Sequence, residues 1–452
     1  MAKFIESFSN HAWGLPLVIL LIGGGLYLLI LSKFLPFRYF GHAIQILRGK
    51  YNDSNHSGEI SHFKALTTAL SSTIGMGNIA GVAVAISVGG PGAMFWMWVS
   101  AIVGMSTKFF TSTLAIMYRG KDSSGVLQGG PMYVIKEGLG TSWKPLAIMF
   151  SLFGMIGALP VVNVNQLTQA INDIVLIPNG VEVGFKSNLI LAFVLVVITA
   201  AIILGGLKRI SNAASKLVPS MVLLYFGLVL FILLANYEQV PKYTMLIFTD
   251  AFSANYYKGD PFLGGVLGGL MLLGIRRGAF SNEAGIGTAP MAHGAAKTNE
   301  PIREGLVAML GPAIDTLVVC TLTALAILVT GVWQSSSYDG VSLTAAAFNQ
   351  VMPQYGSYLL MICVIIFSVS SLFSYAYYGT KCMSFLFGSH KKHYYNYIYI
   401  ISIVMAATMP FSIILNLIDG VFALMAIPTM VSTIILAPKV VKEIKAYKMK
   451  YD

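Results

Sequence analysis

Charge is what this chain has least of. Its 29 lysines and arginines and 18 aspartates and glutamates make up only 10% of 452 residues, where globular domains carry roughly 25%. A soluble fold of this length would lack the charges to cover its surface. A nucleic-acid-binding domain, a disordered chain and a small secreted scaffold are excluded. Cysteine is scarce too. Cys320, Cys363 and Cys382 all fall in apolar runs, which gives no disulfide framework and no metal set. Catalytic signatures are missing: there is no Gly-x-Ser-x-Gly elbow, no Walker pattern and no His-Glu-x-x-His pair. His390, Lys391, Lys392 and His393 read as a solvated basic loop. The chain is therefore not read as an enzyme, and no cofactor is expected. Without a nucleotide site, uphill work must draw on an ion gradient.

What is abundant is apolar sequence, 56% of the chain, with a mean hydropathy of +0.74. A bilayer core of ~30 Å takes ~20 apolar residues per helix. On that basis the chain is an all-α polytopic membrane protein with about eleven transmembrane helices. They run near 14–34, 64–87, 93–118, 145–175, 188–207, 217–236, 262–296, 304–332, 357–387, 395–414 and 416–438. The first is too long for a leader and is read as a retained helix.

The net charge of +11 comes in short clusters between these runs. With the N-terminus outside, inward segments hold 22 of the 29 lysines and arginines. Outward ones hold four (Lys3, Lys186, Lys242 and Lys258), and Lys108, Arg276 and Arg277 lie within spans. That asymmetry orients the chain, with its basic tail, residues 439–452, in the cytoplasm.

Two spans carry glycine and polar residues at membrane depth. One holds Ser71-Ser72-Thr73-Ile74-Gly75-Met76-Gly77-Asn78-Ile79-Ala80-Gly81, the other Gly274 to Gly287 with Arg276, Arg277, Ser281, Asn282 and Glu283. Such segments persist where unwound backbone lines a cavity or packs in protein. Each opens a set of five spans. Five is odd, so the sets cross the bilayer in opposite senses, the arrangement of inverted-repeat transporters. This divides the chain into an extra helix and loop (1–62), a first repeat (63–240), a second repeat (241–438) and the tail.

An unwound helix offers N–H groups from one half and carbonyls from the other, suited to a carboxylate and a cation. Gly75 and Gly77 permit the turn and close approach of a ligand, with Thr73 and Asn78 adding side-chain oxygens; Gly77 and Gly81 also have the spacing of a packing face. Glu283 is a functional candidate or a partner of Arg276 or Arg277, and the two arginines are gate or fold elements. Asn163, Asn165, Gln166 and Gln169 form either a ligand-facing wall or interhelical hydrogen bonds. Ser370, Ser371 and Ser374 offer hydroxyls to a hard cation, while Ser368 reads as packing. Asp419 falls near an outer boundary, and Asp315 has no partner legible from sequence.

The stretches Ser72 to Val82, Gly89-Gly90-Pro91-Gly92-Ala93, Phe95-Trp96-Met97-Trp98, Gly129-Gly130-Pro131-Met132-Tyr133, Arg277 to Gly287 and Ala289-Pro290-Met291-Ala292-His293 resemble the alanine/glycine:cation (sodium) symporter family of bacteria and archaea, over nearly the whole chain. The resemblance implies a leucine-transporter-like core of two inverted five-helix repeats preceded by one extra helix. It implies Na⁺-coupled uptake of alanine or glycine across the cytoplasmic membrane; no obligate protein partner is apparent from the sequence.

By the same resemblance the Met76 and Gly77 N–H groups meet the substrate carboxylate, and groups near Phe280, Ser281 and Asn282 meet its amine. Na⁺ lies by the carbonyls of Ser71 and Ile74 with the hydroxyls of Ser370 and Ser371. Asn163 stands where many relatives place a glutamine beside the ligand. Met76 and Ser371 stand where threonine is common, and Tyr375 where tryptophan is frequent; Met76 and Tyr375 are expected to line the side-chain pocket. Proton coupling through Glu283 is the alternative, and a channel or an amino-acid sensor a more distant one.

Overall fold

The computed structural model describes residues 2–51, 56–259, 265–334 and 338–451. Nearly all of it is helix. Helix α1 (Ala2–Ala12) meets α2 (Leu15–Leu31) at 45°, and α3 (Phe40–Leu47) follows. The first interrupted span is α4 (His62–Thr73) and α5 (Gly77–Gly89), bent by 54°. Then come α6 (Gly92–Met117), α7 (Thr141–Asn179), α8 (Phe185–Ile203), α9 (Gly206–Ala235) and the short α10 (Val240–Ser253). The second interrupted span is α11 (Gly265–Asn282) and α12 (Ala289–His293). After it come α13 (Pro301–Val329), α14 (Gly340–Val351), α15 (Gly356–Phe387), α16 (Lys392–Thr408) and α17 (Phe411–Tyr451). A two-residue antiparallel ribbon pairs Gly120–Lys121 with Leu127–Gln128.

Among the described residues, seven helices are long and apolar enough to cross a membrane, or up to nine if each bent pair is one span. The remaining two of the eleven expected spans are α11–α12, made more polar by Arg276, Arg277, Ser281 and Asn282, and the 17-residue α16. Length and composition alone thus do not establish the count of eleven. The start expected for the seventh span, at 262, lies outside the described residues.

Burial separates core helices from peripheral ones. The apolar window of α6 is 89% buried, while those of α8 and α9 are 22% and 28% buried. A helix apolar all round and mostly exposed faces lipid; one mostly buried is central. Helix α6 is flanked by α11 and α13. Its contact with α11 is close because Gly274 and Gly278 lie against Trp96 and Ser100, where a methyl would come within 2.5 and 2.8 Å. Small residues let membrane helices approach in this way.

The expected tail continues α17 without a break. Tyr447 is buried and its hydroxyl lies 2.7 Å from His42 Nε2 on α3. Lys381, counted above with the inward basic residues, is buried in α15. Its ammonium donates to the carbonyls of Gly129 (3.2 Å) and Met291 (2.9 Å).

Candidate functional site

The first break leaves the N–H groups at the start of α5 without intrahelical partners, and side chains take them up. Gly75 N–H donates to Asn78 Oδ1 at 3.0 Å, and Met76 N–H to Asn163 Oδ1 at 3.1 Å. A Cβ at Gly75 would lie 2.7 Å from Ser371 Oγ and 2.9 Å from Asn163 Oδ1, so only glycine brings the backbone this close to α7 and α15.

In the second span the helix runs through Asn282 and unwinds at Glu283. Arg276 to Asn282 are therefore helical, and the unwound part is narrower than Gly274–Gly287. Glu283 (φ 53°), Gly285 (85°) and Gly287 (104°) turn the chain. A non-glycine residue at such a φ is strained, and the Glu283 carboxylate is held on both oxygens, by the hydroxyls of Tyr375 and Thr288. Asn282 is turned to its own backbone and to α13: Oδ1 accepts from Ala284 N–H at 3.0 Å and Nδ2 donates to Thr316 at 3.2 Å.

Between the breaks lies a small chamber lined by Ser72, Thr73, Gly75, Gly77, Asn163, Phe280 and Tyr375, with Gly157, Leu159, Val162, Ile418 and Phe422 closing it from α7 and α17. About 20 Å³ of it is open to the centre of a water-sized sphere, where one water needs roughly 10–15 Å³. Of the candidate residues, Gly75, Gly77, Asn163, Phe280 and Tyr375 line this space. Met76, Asn78, Ser281, Asn282 and Ser371 lie outside the lining. Met76, expected to line the side-chain pocket, is fully buried and outside the chamber lining, while its N–H reaches the Asn163 side of the break.

The serines of α15 divide. Ser371 faces Gly75. Ser374 pairs with the Ser71 hydroxyl. Ser370 donates to Phe367 O at 2.9 Å and lies 3.6 Å from Met221 Sδ on α9. Asn165 donates to the carbonyls of Ala406 (3.0 Å) and Met409 (2.7 Å), and Gln166 donates to Gln169 at 2.7 Å. Asn165 thus takes the interhelical role left open above.

Both ends of the bundle are tied by buried ionisable groups. At the α1 end, Arg276 and Arg277 converge on Asp419 of α17, Arg276 Nε at 2.9 Å, and not on Glu283. Arg276 also donates to Ser9 (2.5 Å) and Asn10 (3.2 Å) of α1, and the Arg277 guanidinium lies 5.4 Å from the centre of the Phe280 ring. At the opposite end, Glu304 of α13 accepts from His62 of α4 and His293 of α12, the latter at 2.5 Å. One carboxylate there joins the two half-helices. Arg119 reinforces the same end through the carbonyls of Gly294 (2.8 Å), Ala296 and Thr298 (3.1 Å).

Sequence reasoning missed the partners of Asp315. It accepts from Asn78 Nδ2 at 2.6 Å, Ser281 Oγ at 2.7 Å and Thr316 Oγ1 at 2.8 Å. The intramembrane carboxylate itself was the only signal; its partners lie 237 and 34 residues away. The Glu304 pair was missed for the same reason, because His62 and Glu304 are 242 residues apart.

Two interrupted spans around a small polar chamber, in a bundle of apolar helices, define a multi-pass membrane transporter. The fold agrees with that of the crystal structure of MhsT in complex with L-phenylalanine: the TM-score is 0.61 over 84% of this chain and 90% of that one, at 14% identity. The chain belongs to the Sodium:alanine symporter family, which matches residues 1–452. It is 38% identical over 98% of its length to the sodium/alanine symporter AgcS of Methanococcus maripaludis, covering 97% of that protein. It is 35% identical over 97% of its length to the probable sodium/glutamine symporter GlnT of Bacillus subtilis, covering 89% of it.

Proposed function

We propose that the chain carries a small neutral amino acid, alanine or glycine, into the cell together with Na⁺ by alternating access. The observation that supports this most is the chamber between the two helix breaks. A zwitterion has a charge at each end, and the start of α5 and the end of α11 offer partial charges of opposite sign. The substrate carboxylate is assigned to the N–H groups of Gly75, Met76 and Gly77, where it would displace the Asn163 and Asn78 amides. The amine is assigned to the end of α11, by Phe280, Ser281 and Asn282. The narrow space between Phe280 and Tyr375 suits a methyl group or a hydrogen.

Na⁺ is assigned beside the end of α4, to the Ser71 and Ile74 carbonyls with the Ser371 hydroxyl; Ser370 joins them only if it turns from Met221. A monovalent cation entering down 100 mV contributes ~2.3 kcal/mol beyond its concentration gradient. In the oriented reading, with the N-terminus outside a bacterial or archaeal cytoplasmic membrane, the Arg276–Arg277–Asp419 cluster closes the outer path and His62–Glu304–His293 the inner one. Residues 63–240 and 241–438 are the two halves that move relative to one another.

Uptake of labelled alanine into proteoliposomes, competed with each neutral amino acid and driven by a Na⁺ or a proton gradient, tests the proposal. Concentrative, Na⁺-dependent uptake blocked by glycine is expected. Uptake driven by protons alone would transfer coupling to Glu283, and mere equilibration would make the chain a channel.

A further inference from the structure

Asp315 is fully buried at a widened helical turn of α13, Ala313–Cys320, which packs against a second widened turn, Gly77–Gly81, at the start of α5. Widened turns of this kind recur at functional sites. The hydrogen bonds around it have a fixed polarity. Asp315 Oδ1 accepts from Asn78 Nδ2 at 2.6 Å, which leaves the one acceptor oxygen of that amide, Oδ1, for the Gly75 N–H at 3.0 Å. The other carboxylate oxygen takes the Ser281 hydroxyl at 2.7 Å, and Ser281 follows Phe280, whose ring lines the chamber. A single side chain outside the lining thus holds both broken helices.

We propose that Asp315 is a positioning residue for the transported amino acid. By fixing the amide of Asn78 it sets whether the Gly75 N–H is offered to a ligand carboxylate, and by holding Ser281 it sets the height of Phe280 against the first break. This rests on the chamber being the amino-acid site. An exchange of the two partners tests it. Asn78→Asp alone sets two carboxylates face to face. Asp315→Asn alone keeps an acceptor for Asn78 but surrenders the fixed polarity. Asn78→Asp with Asp315→Asn restores one carboxylate and one amide, with the donor reversed.

The readouts are the KM and maximal rate of Na⁺-driven alanine uptake, and the melting temperature of the purified protein with and without alanine and Na⁺. Asp315→Asn is expected to raise the KM about three- to tenfold with the maximal rate within twofold. Asn78→Asp should raise it more than tenfold, and the double variant should recover to within about threefold of wild type. A residue that served stability alone would lower the melting temperature and leave the KM unmoved. An unchanged KM in Asp315→Asn, or a double variant no better than Asn78→Asp, overturns the proposal. If Asn78→Asp does not fold, the KM of Asp315→Asn decides alone. If the wild-type protein takes up no alanine, the functional reading fails instead. The coupling of Asn78 and Asp315 is then read from the ligand-free melting temperatures, where additive effects of the two substitutions overturn it.

Discussion

Replacing Gly75 with alanine puts a methyl group at the point where the first break, α7 and α15 come closest. The methyl carbon would sit 2.7 Å from Ser371 Oγ and 2.9 Å from Asn163 Oδ1, both well inside van der Waals contact. Neither neighbour is free to move at no cost. Ser371 Oγ donates to Phe367 O at 3.0 Å, and Asn163 Oδ1 accepts the Met76 N–H at 3.1 Å. Overpacking of this kind costs about 1–3 kcal/mol, and one displaced hydrogen bond about 1 kcal/mol more. If half to three quarters of this falls on the loaded state, the loss is about 1–3 kcal/mol, roughly 5- to 150-fold in affinity. Labelled alanine uptake in proteoliposomes measures it, with the KM rising by at least fivefold and the Na⁺ requirement rising in parallel because Ser371 is displaced too. A Gly75→Ala protein that inserts normally and transports alanine with a KM within twofold of wild type would refute the placement of the site at this break.

Other variants separate the remaining parts. Ser371→Ala should raise the Na⁺ concentration for half-maximal uptake severalfold while leaving the ranking of alanine, glycine and larger amino acids unchanged; an unaltered Na⁺ curve removes Ser371 from the ion site. Asp419→Asn strips the charge from a carboxylate that answers two arginines, Arg277 being buried. Breaking a buried pair costs about 3–5 kcal/mol, so a clear fall in melting temperature is expected, and an unchanged one would mean the cluster adds no net stability. Glu304→Gln cannot accept from both histidines with two equivalent oxygens. Faster amide hydrogen exchange over residues 289–293 should follow, and unchanged protection would remove the carboxylate as the tie between α4 and α12. Tyr375→Trp fills space beside Phe280 and should disfavour alanine relative to glycine in competition uptake.

What the sequence made legible followed from local pattern. The long apolar runs gave the spans because each is decided by ~20 consecutive residues. Gly75, Gly77 and the polar stretch near Glu283 announced the two breaks because glycine and charge at membrane depth are costly in an unbroken helix. The second break was harder to bound: Gly274 and Gly278 look like helix breakers, yet they serve close packing against α6, and the chain stays helical until Asn282. Asn163 stood out in a polar stretch of an apolar span and again through resemblance, and its amide oxygen accepts the Met76 N–H at the break. Contact partners far apart in sequence were illegible: Arg276 and Arg277 had Glu283 as the near carboxylate, but a helical continuation through Asn282 carries them towards Asp419 instead.

The two ends of the bundle are built with different chemistry, and this bears on how they open. At the α1 end, the guanidinium groups of Arg276 and Arg277 share one carboxylate oxygen of Asp419, with Ser9 and Asn10 completing the Arg276 fork. Guanidinium stays charged at any relevant pH, so this contact yields only to competition from water or another anion. At the other end, two imidazoles donate to one carboxylate, His62 to one oxygen of Glu304 and His293 to the other. A carboxamide has a single acceptor oxygen, so this closure depends on the carboxylate in a way that the arginine end does not. Measuring hydrogen exchange at residues 62–73 and 289–293 in Glu304→Gln, with residues 276–282 as the internal comparison, gives the contrast directly: parallel behaviour at both ends would mean that the two closures are not independent.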